Sequence, residues 1–261
     1  MIPNRYKLLL LISLFWAEGL AQSVPELEFY YAPQPMSRNY FFVKGGSNIP
    51  TSQFAETPNA DEPLLAPFIG EDGMGGKTGF SISSGYRFGW SAPKYENTFF
   101  AISGLSASFK YNSIHKWYDL NWDAGMQENN YIFNAGGMNG FFLDFSSGLG
   151  YNVKNTLILE LNGSIHFPLR VGFPSVSYEP YESNQSDVFK FSVEPDGVSQ
   201  TRLGTGLEIL IRTNQYSFGL EWFQYNARKE YHYNFPSLLI SEDFVAEFKW
   251  KTFQLMLGLC F

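Results

Sequence analysis

Glu160, Ser164 and His166 stand at alternating positions in one stretch of the chain, and on an extended strand alternating residues share a face. A serine sharing a face with a histidine and a carboxylate invites a hydrolase, with His166 drawing the proton from Ser164. Side chains two residues apart on a strand are about 6 to 7 Å apart, beyond direct hydrogen-bond reach. The pair is therefore expected to line an interior as satisfied polar groups. The run Gly70 to Thr78 is similar to a phosphate loop, but Glu71 occupies the place of the first glycine in G-x4-G-K-[ST], and the run leads into a strand, not a helix. His115 and His232 are expected in loops as surface residues, and a metal site needs several convergent ligands. The acidic pairs Asp61-Glu62, Glu71-Asp72 and Glu242-Asp243 lack the alternating oxygen ligands of a calcium loop. No catalytic, cofactor-binding or metal site is expected.

The composition narrows the class further. Lys+Arg 18 against Asp+Glu 25 gives a net charge of -7, which disfavours nucleic acid as a partner because phosphate neutralisation needs a basic surface. Aromatic residues make up 18% of the chain, enough apolar surface to exclude a disordered polymer. Cys260 is the single cysteine, so neither an internal disulfide nor a multi-cysteine metal site can form. At the N-terminus Arg5 and Lys7 precede the apolar run Leu8 to Trp16, followed by Gly19 and Ala21. This is the layout of a secretory signal peptide cleaved after Ala21. Its apolar core is shorter than the ~20 residues that span a bilayer as a helix. Pro25, Pro33 and Pro35 make residues 22–37 an extended arm.

From about Gly76 the chain alternates with period two, the signature of strands with one apolar face. Phe80, Ile82, Tyr86, Phe88 and Trp90 oppose glycine, serine and Arg87; Phe99, Ala101, Leu105, Ala107, Phe109 and Tyr111 oppose Gly104, Ser106, Ser108 and Lys110, with Phe100 and Ile102 blurring the start. Equivalent segments begin near Phe141, Leu157, Leu203, Tyr216 and Phe253, and a weaker one of ambiguous facing covers Asn39 to Gly46. The expectation is eight strands, with ten as the alternative if loop hairpins belong to the barrel. Connections alternate strictly: short at Ser91 to Asn97, Asn152 to Asn155 and Thr213 to Gln215, long at 47–75, 113–137, 168–199 and 231–246. That asymmetry matches short periplasmic turns and long extracellular loops, and it puts both termini on the periplasmic side. Aromatics at Trp90, Phe99, Tyr151, Tyr216 and Phe261 gather beside the short turns, as an interfacial girdle does.

The polar face decides which way the barrel is turned. A water-facing surface would be rich in lysine and glutamate, whereas these strands set glycine and serine opposite their apolar residues, as a narrow lumen requires. Arg87, Arg202 and Arg212 are expected to pair inside with Glu160, Glu208 and Glu221, because a buried charge is costly without a partner.

The signal peptide, the eight strands and the ending Phe253-x-Leu255-x-Leu257-x-Leu259-x-Phe261 resemble the small outer-membrane β-barrels of the OmpA-membrane-domain and OmpX type. The Ala21-Gln22 junction and the aromatic richness are similar to barrels of the Bacteroidota. The resemblance implies an all-β, eight-stranded antiparallel up-and-down transmembrane β-barrel over residues 38–261, behind a signal peptide (1–21) and a periplasmic arm (22–37). It also implies outer-membrane lipid as surroundings, with the terminal motif Phe253, Leu255, Leu257, Leu259 and Phe261 read by the barrel-assembly machinery. The expected role is non-enzymatic: loop presentation, or membership of a larger outer-membrane assembly whose other proteins are met through the loops or the arm. Alternatives are a narrow channel or carrier for a small apolar molecule, a lipid-modifying enzyme using Ser164 and His166, and a soluble secreted barrel with an apolar core.

Overall fold

The computed structural model describes residues 36–55, 75–91, 98–114, 117–118, 131–153, 156–180, 191–235 and 240–261. The expected signal peptide, most of the arm and the glycine-rich run before Gly75 lie outside them. In chain order the strands are β1 (Tyr40–Pro50), β2 (Gly79–Trp90), β3 (Phe99–Ser113), β4 (Trp117–Tyr118), β5 (Tyr131–Ala135) and β6 (Gly137–Val153), followed by β7 (Leu157–Gly172), β8 (Val176–Pro180), β9 (Phe191–Thr201), β10 (Gly204–Arg212), β11 (Tyr216–Phe235) and β12 (Ile240–Cys260).

Eight of these strands close a ring. β1 pairs β2, then β3, β6, β7, β10, β11 and β12 follow in order, every neighbour antiparallel, and β12 returns to β1. The seam runs from Phe42 against Cys260 to Pro50 against Thr252. Reciprocal backbone bonds between Phe41 and Phe261, at 3.1 and 2.9 Å, extend it to the final residue. The weak first strand is thus a full member of the ring, and the count is eight, not ten. Its facing is resolved as well: Phe41, Val43 and Ile49 point outward, while Tyr40, Phe42 and Lys44 are buried inside.

Beyond one end of the ring the sheet continues. Gly136 alone separates β5 from β6, Phe173 to Ser175 separate β7 from β8, and Arg202-Leu203 separate β9 from β10. The upper segments pair in the order β4, β5, β8, β9, β11, β12, forming an open six-stranded extension. The hairpin of β11 and β12 keeps register from Tyr216↔Leu259 to Phe235↔Ile240. Parts of the long connections 113–137, 168–199 and 231–246 are therefore strand, as expected of strands that project into loop hairpins: Trp117 and Tyr118 pair with Phe133 and Ile132. Hydrogen bonds within the sheet satisfy the backbone of these segments. At the opposite end the turn between β10 and β11 is tight: Thr213 both donates its backbone N–H to the Tyr216 carbonyl (2.8 Å) and accepts from the Tyr216 N–H through its hydroxyl (3.1 Å).

The outer wall is apolar and the interior polar. Phe80, Ile82, Tyr86, Leu149, Leu161, Ile209, Leu257 and their neighbours on the same faces are exposed, whereas Asn48, Lys110, Asn112, Glu160, Asn162, Arg212, Thr252 and Gln254 are almost wholly buried. The interior also holds rings that the glycine-serine pattern did not suggest. Phe142, Phe223, Tyr225 and Trp250 pack edge to face or tilted, at centroid distances of 5.4 to 6.5 Å. Further into the extension, Tyr231 and Phe248 are buried together. The Tyr231 hydroxyl donates to the Pro174 carbonyl at 2.8 Å, and burial raises its phenol well above the ordinary range, keeping it a donor. At the short-turn end, Phe100 and Ile102, the residues that blurred the alternation, turn inward with Ile158 beneath Met36.

Lumen glycines make room for these rings. A Cβ on Gly140 would come within 2.7 Å of the Phe142 ring and 3.4 Å of Trp250, whereas one on Gly163 would have the Ser147 carbonyl, at 3.9 Å, as its nearest contact. Gly140→Ala is accordingly expected to destabilise the barrel by about 1 to 3 kcal/mol through overpacking, and Gly163→Ala to stay within about 0.5 kcal/mol. Denaturant unfolding of the refolded protein in detergent micelles measures both; equal effects would contradict the described packing.

Candidate functional site in the lumen

The inward faces of β1, β2, β7 and β10 converge on two carboxylates. Glu160 accepts hydrogen bonds from the Tyr40 hydroxyl (2.8 Å), Arg87 (2.9 Å) and Arg212 (3.2 Å). Glu208 accepts from Lys44 and from the second Arg87 nitrogen. Arg87 thus bridges the two acids, and Asn162 lies 3.5 and 3.4 Å from them. The Arg212 guanidinium stacks 4.0 Å over Tyr40 and donates to the Ser37 carbonyl at 2.9 Å, tying the start of the described chain to the lumen wall. Buried ions survive only when paired and hydrogen-bonded on most sides, and this arrangement meets that requirement.

A second cluster lies between this one and the aromatic layer, drawn from β3, β6, β7, β11 and β12. Lys110 donates to Gln254 at 2.9 Å and lies 3.5 Å from Glu221. Asp144 faces His166 across the β6–β7 ladder, with its Oδ1 2.7 Å from His166 Nδ1. His166 Nε2 in turn lies 3.0 Å from the Ser164 hydroxyl and 3.4 Å from Glu221.

The structure brings Arg87, Glu160, Glu208, Arg212 and Glu221 into the lumen. Arg202 is the exception: it is exposed at the break between β9 and β10, where the alternation that would have turned it inward lapses. Lys44, Lys110 and Asp144 belong to the network but were not grouped with it on sequence; their positions opposite apolar residues were the available signal, obscured for Lys44 by the ambiguous first strand. Phe253, Leu255, Leu257, Leu259 and Phe261 all point outward from β12.

The separation expected between Ser164 and His166 is also corrected. The backbone spacing is that of an ordinary strand, but the imidazole reaches back along it and closes the gap to hydrogen-bond distance. Ser164, His166 and Asp144 therefore form the connectivity of a nucleophile, base and orienting acid. The surroundings do not complete a hydrolase. The Ser164 strand is laddered on both sides, to Ser146 and to Gly206, so its amides are committed to the sheet and supply no oxyanion hole. Glu221 places a second carboxylate beside the imidazole nitrogen that would have to act as base. The cavity bounded by Lys44, Arg87, Lys110, His166, Glu208 and Glu221 is about 20 Å³, room for a water and not for an ester. Among the described residues no group of His, Cys, Asp and Glu is placed to hold a metal ion.

Register and burial together define the class: a closed, eight-stranded, antiparallel up-and-down β-barrel with a polar lumen filled by side chains and an apolar outer wall. No family model matches the chain, and no curated protein matches it in sequence. Among solved structures it is similar to the crystal structure of the outer membrane protein OprG from Pseudomonas aeruginosa, at 10% identity and a TM-score of 0.34, over 87% of this chain and 97% of that one. The barrel assignment rests on the strand register and not on this likeness.

Arg87→Met removes the cation that two buried carboxylates share, leaving Glu160 with Arg212 and Glu208 with Lys44, and the expected loss is about 3 to 5 kcal/mol, read as a lower denaturant midpoint. Ser164→Ala removes one hydroxyl from a crowded network and is expected to cost at most about 1.5 kcal/mol. A loss from Ser164→Ala equal to that from Arg87→Met would show that the two-carboxylate cluster does not dominate the lumen.

Proposed function

We propose that the chain is an integral outer-membrane β-barrel without enzymatic activity, whose extracellular sheet extension presents binding surface or joins it to a larger outer-membrane assembly. The observation that carries this reading is the inversion of the barrel: around the ring the exposed wall is apolar and the ions are inside. In water such a wall would expose far more contiguous apolar area than soluble proteins tolerate, whereas hydrocarbon favours it and requires a closed ring with no unpaired edge. A soluble barrel with an apolar core would have the opposite facing.

The ring strands are long enough for the ~9 to 11 residues of a tilted spanning strand. By the usual asymmetry of outer-membrane barrels, the β10–β11 turn, Met36 and the C-terminal Phe261 lie on the periplasmic side, with the six-stranded extension outside. The side chains buried in the lumen speak against a diffusion pore or a carrier. What remains available to partners is the extension and the rim, where loops carry function on rigid scaffolds.

Fractionation followed by gel mobility, unheated against boiled in SDS, tests the reading. The expected result is recovery in the outer-membrane fraction with a heat-dependent shift, since a closed ladder resists cold detergent. Recovery in the soluble fraction without a shift would overturn it. In planar bilayers the same preparation is expected to show no steady conductance, because ion-paired side chains fill the lumen; a persistent open state would contradict the filled interior.

A further inference from the structure

The chain is acidic overall, with a net charge of -7, yet one arc of its outer wall is basic. On β12 the outward residues pass from Phe253 to Lys251 and Lys249, and on β11 from Trp222 to Gln224, Asn226 and Arg228. The register sets Trp222 against Phe253, Gln224 against Lys251, Asn226 against Lys249 and Arg228 against Glu247. Around the ring from β11, Arg202 follows Leu203 at the break above β10, and Arg170 follows Leu169 near the upper end of β7. Thr205 pairs with Gln224 and Gly204 with His166, so these cations lie on neighbouring strands in the few rows directly beyond the apolar wall.

Arg228 is held by Glu247. Among the described residues, no carboxylate lies within ion-pair distance of Arg170, Arg202, Lys249 or Lys251. The other side of the ring is less charged at the same height: the apolar rows of β2 and β3 end in Phe80 and Tyr111 and are followed outward by Thr78 and Ser113, with Lys77 as the exposed cation beside them. Self-repulsion among neighbouring cations would be relieved by an anion spanning them, and apolar side chains directly below offer contact for an acyl chain.

We propose that the arc formed by Arg170, Arg202, Lys249 and Lys251 binds phosphate groups on lipids of the leaflet around the extension, with the acyl chains lying on Leu169, Leu203, Trp222 and Phe253. The inference rests on the membrane reading above. Its ligand chemistry is a phosphate monoester at the membrane surface, and the lysines and arginines act as point charges and forks for its oxygens.

The test uses the full barrel in detergent micelles, first confirmed as folded by its unheated gel mobility, then titrated with diphosphorylated lipid A and followed by native mass spectrometry. Failure to show the folded, heat-shifted band would count against the membrane reading; a folded barrel that ignores the phosphates counts against this inference alone. Lys249→Gln with Lys251→Gln is expected to weaken binding about tenfold or more, and removal of the lipid phosphates to abolish the difference between wild type and variant. Arg170→Gln with Arg202→Gln probes the other end of the arc and is expected to act in the same direction, so the test stands if either variant fails to fold. Equal affinity of wild type and a folded variant would overturn the proposal, and so would displacement of the lipid by an equal concentration of inorganic phosphate, which would make the site one for the free anion.

Discussion

Closure of β1 onto β12 is the constraint on which the rest of the structure depends. Every strand of an antiparallel ring finds hydrogen-bond partners on both sides only if the first meets the last, and here the register holds from Phe42 against Cys260 to Pro50 against Thr252. Once that seam forms, period-two alternation is no longer a local property. Each inward residue must fit a space shared by eight strands, and each outward residue must suit whatever surrounds the wall.

The narrowness of that shared space explains the lumen chemistry. Charges cannot be hydrated there, so they are compensated across the barrel: Arg87 of β2 reaches Glu160 of β7 and Glu208 of β10, strands that are not its neighbours in the sheet. Such bridges brace the ring through its interior, in addition to the backbone ladder around its circumference. Above them the filling changes from ions to rings, and glycines such as Gly140 mark where a ring takes the volume of a missing side chain. Met36 and Ser37 complete the filling at the short-turn end, Met36 against Phe100, Ile102 and Ile158 and Ser37 through its carbonyl to Arg212.

The Ser164, His166 and Asp144 arrangement shows why geometry among three residues is insufficient for chemistry. Their distances suit proton transfer, but the strand backbone is consumed by pairing, a second carboxylate competes for the imidazole, and the cavity they line has room for little more than a water. The connectivity is better explained as one more way of satisfying buried polar atoms. The wall outside has no such crowding, and there the uneven distribution of cations is informative because nothing inside the barrel requires it.

The eight strands, the inward and outward faces of most of them and the presence of paired interior charges were legible in the sequence, because alternation records burial directly at each residue. Two limits of that record are visible in particular residues. Arg202 follows the parity of its segment but sits where the strand breaks, and Ser164 and His166 have the expected backbone spacing while their side chains meet. Only the tertiary structure decided which charges pair, since partners on β2, β7 and β10 are brought together by the closed ring and carry no mark of it in their local sequence. It also decided that Phe142, Phe223, Tyr225 and Trp250 fill the interior and that the hairpins projecting beyond the ring pair with one another as sheet. Local pattern sets what a residue can bury against; which residue it meets depends on contacts distant in the chain, and those exist only once the ring has closed.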